Sequence, residues 1–426
     1  MKNFLKKTRK TDINNTSKGG KVVKDIVNIE NHINQNENKP PKRKINKKKM
    51  IIAISIVILI IIIGIIVLLY YSSRDVRKFL DQYLFGKIVT QEKLNSISLD
   101  YNSNINVFAY NKYICILAEN KLMEYNSSGE LENEIPLEIN NPVYSVNNKY
   151  IAISERNGSE INLISGSEIL WTKSVDGNIS KINVNDNGYV SVILTGTVHK
   201  SVIATFDKNG NELFRRYFAT TNAVDTSISK DNKYLAFAEV NTKGTTIQST
   251  IEVVSIEKAR TNPSESTVYT YTADSNKLII NIEYHDNNQI ICMYDNEITS
   301  IKDNTNTSLM TLSEKGKNIN FSNINLNNHI YRAIEENDGL FNTNTVLEIR
   351  STTNDKTAVY TVEGAAKDIS SFNNVIAVNL GQEIEFVDTN GWLVKNYTSS
   401  QEVQNVVIGN GIGGIVYKDK VEIINL

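Results

Sequence analysis

Eight times between Asn111 and Val416 the chain repeats one short unit, an asparagine-rich turn followed by a compact apolar strand. The copies occupy residues 111–116, 148–153, 187–192, 232–237, 287–292, 327–331, 373–378 and 410–416. Measured from Tyr113 to Ile415, the mean period is about 43 residues, within the ~40 to 45 of a four-stranded propeller blade. Further β-type runs stand on both sides of each unit, as in 182–184 before the third copy and 201–206 and 212–217 after it. The fold expected is all-β, an eight-bladed β-propeller of four-stranded blades, with seven blades the competing count.

The repeated strands are apolar almost without alternation, which means that both faces are buried between neighbouring blades. Cys115, Ala152, Ser191, Ala236 and Ala377 take the same place in the repeat, where a large side chain would strike the next blade. Cys115 therefore reads as a small core residue, and Cys292, across the ring, gives it no disulfide partner. Residues 94–100 form a spare strand before the first unit, and 419–426 form a third strand with no fourth. If the first completes the last blade, the ring closes without free edges.

Ahead of this domain, residues 50–71 carry no charge over 22 positions, and as a helix they cover roughly 33 Å, enough for the ~30 Å hydrocarbon core. Residues 1–49 hold 15 Lys and Arg against 4 Asp and Glu, so a net charge of −1 for the whole chain leaves −12 for the rest. Lys42, Arg43, Lys44, Lys47, Lys48 and Lys49 crowd one end of the apolar run and are expected at the membrane surface, on the cytoplasmic side. The expected organisation is a disordered basic tail over 1–49, a transmembrane helix over 50–71, an amphipathic helix and linker over 72–93, and the propeller over 94–426. In the linker, Val76, Phe79, Leu80, Tyr83 and Leu84 fall at helical spacing between a Ser and a Gly. No aromatic is interleaved with the lysines of the tail, so nucleic acid is not an expected partner. The richness in Asn, Ile and Lys suggests an AT-rich bacterial genome, and two distant cysteines fit a Gram-positive envelope.

Outer turns such as 124–131, 162–171, 205–214 and 385–394 carry a strand, a polar turn with Gly and a strand with a terminal aromatic, which resembles the quinoprotein-like and WD40-like repeat. Only Trp171 and Trp392 are available as docking tryptophans, so the resemblance implies eight blades and not the quinone. As a whole, a basic tail, one span and an Asn-rich propeller resembles uncharacterised single-pass membrane proteins of clostridia, a family that carries no activity to transfer.

The chemistry-bearing motifs are few. Residues 207–212 alternate oxygen ligands, but the twelfth position counted from Asp207 is Phe218, where a calcium loop needs Glu, so the segment reads as a hairpin turn. The four histidines, His32, His199, His285 and His329, make no metal-binding spacing, and no Gly-x-Ser-x-Gly elbow or P-loop is present. No cofactor is expected. Lys181, Asp225, Glu283, Lys367 and Asp368 belong to first strands or their approaches and are the candidates for a binding rim at the channel mouth. Residues 259–266 form the longest connection, of the protruding kind that partners use. The function expected is a non-catalytic, membrane-anchored extracytoplasmic scaffold or recognition module, with membrane lipid and an envelope protein as partners. The alternatives are a sensor that binds a glycan or peptide in the channel and signals to the tail, and a carbohydrate-active enzyme built on a carboxylate pair.

Overall fold

The computed structural model describes residues 47–90, 94–100, 105–339 and 342–426. The chain divides into two units, one ending at Leu69 and one running from Tyr70 to Leu426. Most of the basic tail, with Lys42, Arg43 and Lys44, lies outside the described residues.

Helix α1, Lys47–Ser72, contains the apolar run, and a helix is the conformation in which such a run satisfies its own backbone groups without water. Residues 47–69 are all exposed, Lys47, Lys48 and Lys49 form the first turn, and the helix is long and apolar enough to cross a bilayer. Helix α2, Arg74–Tyr83, follows at once, its first turn capped by Ser73, whose Oγ accepts from the Val76 N–H at 3.5 Å.

From there the chain makes eight four-stranded blades. Their first strands are Asn106–Tyr110, Pro142–Val146, Asn178–Val184, Asn222–Ile228, Ile279–Asp286, Asn318–Leu326, Asp368–Phe372 and Asn405–Gly409, here blades 1 to 8. From blade 2 through blade 8 to blade 1, each first strand packs on the first strand of the next blade, so these strands line the central channel. Blade 8 is assembled from both ends of the domain. Its fourth strand is Asn95–Ser98, antiparallel to Lys420–Asn425 with Ile97 opposite Val421. Ile97 is buried in a cluster with Ala109 and Ile114 of blade 1 and Ile412 and Ile423 of blade 8, which seals the ring where the two ends of the domain meet.

The repeated units are the turns and second strands of the blades. Cys115, Ala152, Ser191, Ala236 and Ala377 are completely buried. Gly414 extends the column in blade 8, where a Cβ would meet Val407 Cγ2 at 2.8 Å and Ile114 Cδ1 at 3.0 Å. Blades 5 and 6 depart from it and place Ile291 and Tyr331 there, both buried. The two cysteines are buried free thiols, and burial pushes both well above the usual thiol range. Trp171 docks on the next blade, donating from Nε1 to the Lys208 carbonyl at 3.1 Å over the 207–211 turn. Asp207 Oδ1 accepts there from the Asn209 and Asn211 N–H groups at 2.8 and 2.9 Å, which makes the turn a hairpin. Gly210 serves this turn twice, since its φ of +79° suits no bulkier residue and a Cβ would lie 2.9 Å from the Trp171 ring.

The 259–266 connection is partly helical: Ile256–Thr261 forms a short helix, α3, whose Ile256 and Ala259 are buried, while residues 260–265 are exposed. Ser255 caps that helix, and a 3-10 turn over Pro263–Glu265 leads back into the sheet.

The small-residue column gives a direct test of the packing. Ala236→Leu should lower stability by about 1–3 kcal/mol through overpacking between blades, whereas Ala236→Ser should cost less. Thermal and urea unfolding monitored by circular dichroism measures both, and unchanged stability for Ala236→Leu would show that the interface between blades is loose.

Candidate functional site

Each first strand ends at one mouth of the channel in the turn that carries the repeated asparagines. Asn111, Asn232, Asn328 and Asn373 adopt φ values of 52°, 60°, 54° and 52°. Asparagine enters this left-handed region more readily than other non-glycine residues, which accounts for its recurrence. Its side chain then does a second job, because the turns converge. Asn373 of blade 7 donates from Nδ2 to Asn148 Oδ1 of blade 2 at 3.0 Å and to Asn410 Oδ1 of blade 8 at 2.7 Å. Asn410 in turn donates to Asn148 Oδ1 at 3.0 Å. A glycine would make the same turns but not this amide triad.

Beside the triad lies a cavity of about 380 Å³, lined by residues of blades 2 to 7. Its walls are mainly amide and hydroxyl groups, and Asp186, Lys230, Glu283 and His285 are its titratable members apart from Tyr284. Such a volume is in the range of small-ligand sites.

Asp225 organises the wall between blades 3, 4 and 5. It is almost fully buried, and its Oδ1 meets Lys181 Nζ at 2.7 Å, Asn183 Nδ2 at 3.0 Å and the Thr226 N–H at 2.8 Å. Its Oδ2 accepts from the Ile282 N–H at 2.9 Å. Ser227 Oγ does the same one pair along, accepting from the Tyr284 N–H at 3.0 Å. These contacts hold the first strand of blade 5 in fixed register against blade 4, with Glu283 between the two anchored residues.

Glu283 has the opposite surroundings. Half-buried on the cavity wall, its carboxyl has neither a hydrogen bond nor an ion pair among the described residues. Burial, then the negative charges of Asp225 and Asp186, push its pKa from 4.5 up to about 8, although Lys230 and Lys181 oppose the shift. Protonated and ionised forms therefore coexist near neutral pH. His285 does not compensate it. Its Nε2 lies 2.6 Å from the Ile324 carbonyl, which can only accept, so Nε2 carries the proton and Nδ1, 3.0 Å from Thr352 Oγ1, accepts. Burial holds its pKa down at about 4, and the ring is neutral.

Of the five rim candidates, then, the structure brings Lys181, Asp225 and Glu283 together, and only Glu283 lines the cavity. Lys367 and Asp368 sit apart, at the end of the blade 7 first strand opposite Ser371 and Phe372, and Lys367 pairs with Glu402 at 2.5 Å. His285 and the triad of Asn148, Asn373 and Asn410 were missed by sequence reasoning. The available signal was that the turns use asparagine in place of glycine or aspartate. Among the described residues, no group of three or more His, Cys, Asp and Glu is placed to hold a metal ion.

Glu283 binds its proton more tightly in the folded chain than in the unfolded one. Its contribution to stability is therefore full below pH 4.5 and is lost as pH rises through about 8. Glu283→Gln should match the wild type near pH 4.5 and exceed its melting temperature by a few degrees above pH 8. His285, whose contribution falls as pH drops from 6.5 through about 4, is common to both chains and cancels. Parallel melting profiles from pH 4 to 9 would show that the carboxyl is an ordinary surface group.

The chain belongs to a family of unknown function, DUF5711, which it matches over residues 87–426. No curated protein matches it. Among solved structures it is similar to Sqt1 of Chaetomium thermophilum, bound to the N-terminus of the ribosomal protein L10, at 13% identity and a TM-score of 0.50, covering 78% of this chain and 100% of that one. It is also similar to BamB from Moraxella catarrhalis, at 10% identity and a TM-score of 0.45, covering 78% and 99% of the two chains. At such identities the likeness shows the propeller fold alone.

Proposed function

We propose that this chain is a single-pass protein of a bacterial cytoplasmic membrane, with its basic tail inside and its propeller outside, acting as a non-catalytic recognition module of the cell envelope. The contact site is the channel mouth bearing Glu283. The observation that carries this reading is a half-buried carboxyl, unpartnered among the described residues, on the wall of a solvent-open polar cavity, beside an Asp225 network that is hydrogen-bonded in place. A rigid concave surface that presents an unsatisfied polar group is suited to a partner that completes it.

The address rests on α1. Its apolar run is bounded by Lys47, Lys48 and Lys49, and the excess of Lys and Arg before it supports an inside N-terminus. The non-catalytic part rests on Asp225. A glycosidase needs two carboxyl groups flanking the scissile bond, and here both oxygens of Asp225 are engaged, one by Lys181 and one by the Ile282 N–H. Asp225 is therefore committed to holding the blades together and is not free to act as a second acid with Glu283, and the other carboxylate on the wall, Asp186, is exposed to solvent.

One observation favours a sensor as the second reading. Blade 7 contributes Ser371, Phe372 and Asn373 to the cavity, and its outer strand, Leu393–Thr398, pairs in parallel with Ile88–Thr90, the strand that follows α2. A ligand in the cavity would thus meet a sheet that also carries the segment leading back towards the tail.

Site-specific photocrosslinking in cells tests the proposal. A photoreactive residue at Asn147, on the cavity wall, should give discrete adducts that weaken about tenfold when Glu283→Gln is added, the effect of losing one charge-assisted hydrogen bond. The same group at Val198, 98% exposed on blade 3, should give none of them. No adduct at Asn147, or equal adducts at both positions, would sink the recognition reading.

A further inference from the structure

Helix α2 is turned inside out for a helix in water. Its buried group is Asp81, 1% exposed, whose Oδ1 accepts from the Tyr70 hydroxyl at 2.9 Å and pairs with Lys87 Nζ at 3.1 Å. Arg77 joins the same side, donating from Nε to the Tyr70 carbonyl at 3.0 Å and from Nη2 to the Tyr71 carbonyl at 3.1 Å. These are final-turn carbonyls of α1, which lack intrahelical partners, so a guanidinium is well placed on them. Of the apolar stripe, Val76 and Leu80 are half-buried and the remainder faces out. Phe79, Tyr83, Leu84 and Phe85 are 60%, 70%, 67% and 54% exposed, with the Phe79 and Tyr83 rings 4.9 Å apart.

An amphipathic helix on a soluble domain turns its apolar stripe to the core and its charges to solvent. Here Asp81 and Arg77 pair inward, while Phe79, Tyr83 and Leu84 stand exposed and Phe85 packs by one edge on Tyr70, an arrangement that suits an apolar surface outside better than water. We infer that α2 lies in the membrane–water interface, with Phe79, Tyr83, Leu84 and Phe85 against lipid. This rests on the reading of α1 as a membrane span.

Three observations select lipid over a protein partner. First, α2 begins at Arg74, two residues after α1 ends at Ser72, so the stripe starts where a spanning helix would leave the hydrocarbon core. Second, exposed large apolar residues recur from Met50 to Tyr71 and again from Phe79 to Phe85, whereas the next among the described residues, Leu131, is 46 positions after Phe85 and those after it are mostly scattered singly. In sequence, the stripe thus follows closely on the apolar run of α1. Third, three of its four side chains are aromatic, and tyrosine is a type enriched at bilayer interfaces, where an apolar ring and a polar tip are both accommodated.

Spin labelling of the full chain in liposomes tests this. Cys115 and Cys292 are fully buried, so a label attaches to the introduced thiol of Phe79→Cys, Tyr83→Cys, Ile60→Cys or Val198→Cys. Relaxation by oxygen, which partitions into lipid, is compared with relaxation by a water-soluble nickel chelate. The labels at Phe79 and Tyr83 should be reached by oxygen and at least tenfold less by nickel than the label at Val198. If they are as open to nickel as Val198 while the label at Ile60 is protected, the helix stands in water and the inference fails with the span intact. Protection from both reagents would place the stripe against protein and overturn it equally. If the label at Ile60 is itself open to nickel, the span reading falls, and the inference with it.

Discussion

Closure of the ring is the constraint on which the rest depends. Seven blades take their four core strands from contiguous chain, and the eighth gains its fourth only when Asn95–Ser98 pairs with Lys420–Asn425. Without that pairing, Ile97, Val421 and Ile423 would lose their cluster with blade 1, and strand edges on both sides of the gap would be open. The first strands can converge on an axis only because the circle is complete. The channel cavity, lined by blades 2 to 7, is therefore a property of the whole ring.

Within the channel, two acidic side chains on neighbouring first strands have opposite fates. Asp225 is neutralised by Lys181 and hydrogen-bonded by two backbone N–H groups, so it serves as a clamp between blades. Glu283 follows the residue that Asp225 clamps and receives no such contact. Burial, and after it the negative charge of Asp225 across the blade boundary, makes Glu283 harder to ionise. A site with a titration near neutrality thus follows from the way the blades are held together.

The segment that follows α1 shows the same economy of contacts. Asp81, Lys87, Tyr70 and Arg77 form one polar network that turns α2 over, and Ile88–Thr90 then adds a fifth strand to blade 7. The orientation of the helix is set by where its charged side finds partners, and the apolar stripe takes the side that remains.

The sequence by itself determined the number of blades and the texture of their packing. A 43-residue period, strands apolar on both faces and a column of small residues at Cys115, Ala152, Ser191, Ala236 and Ala377 are local consequences of stacking sheets radially, so they are written into each repeat. Which channel side chains meet was decided only by the tertiary structure. The first strands of blades 3, 4 and 5 each carry a register shift, between Ile179 and Lys181, Ala223 and Asp225, and Ile279 and Asn281. Each shift breaks the period-two rule that assigns side chains to faces, so Lys181 reaches Asp225 across blades while Lys367 turns away to Glu402. The asparagine triad belongs to the same class, because Asn148 and Asn410 are 262 positions apart and meet only when the ring has closed.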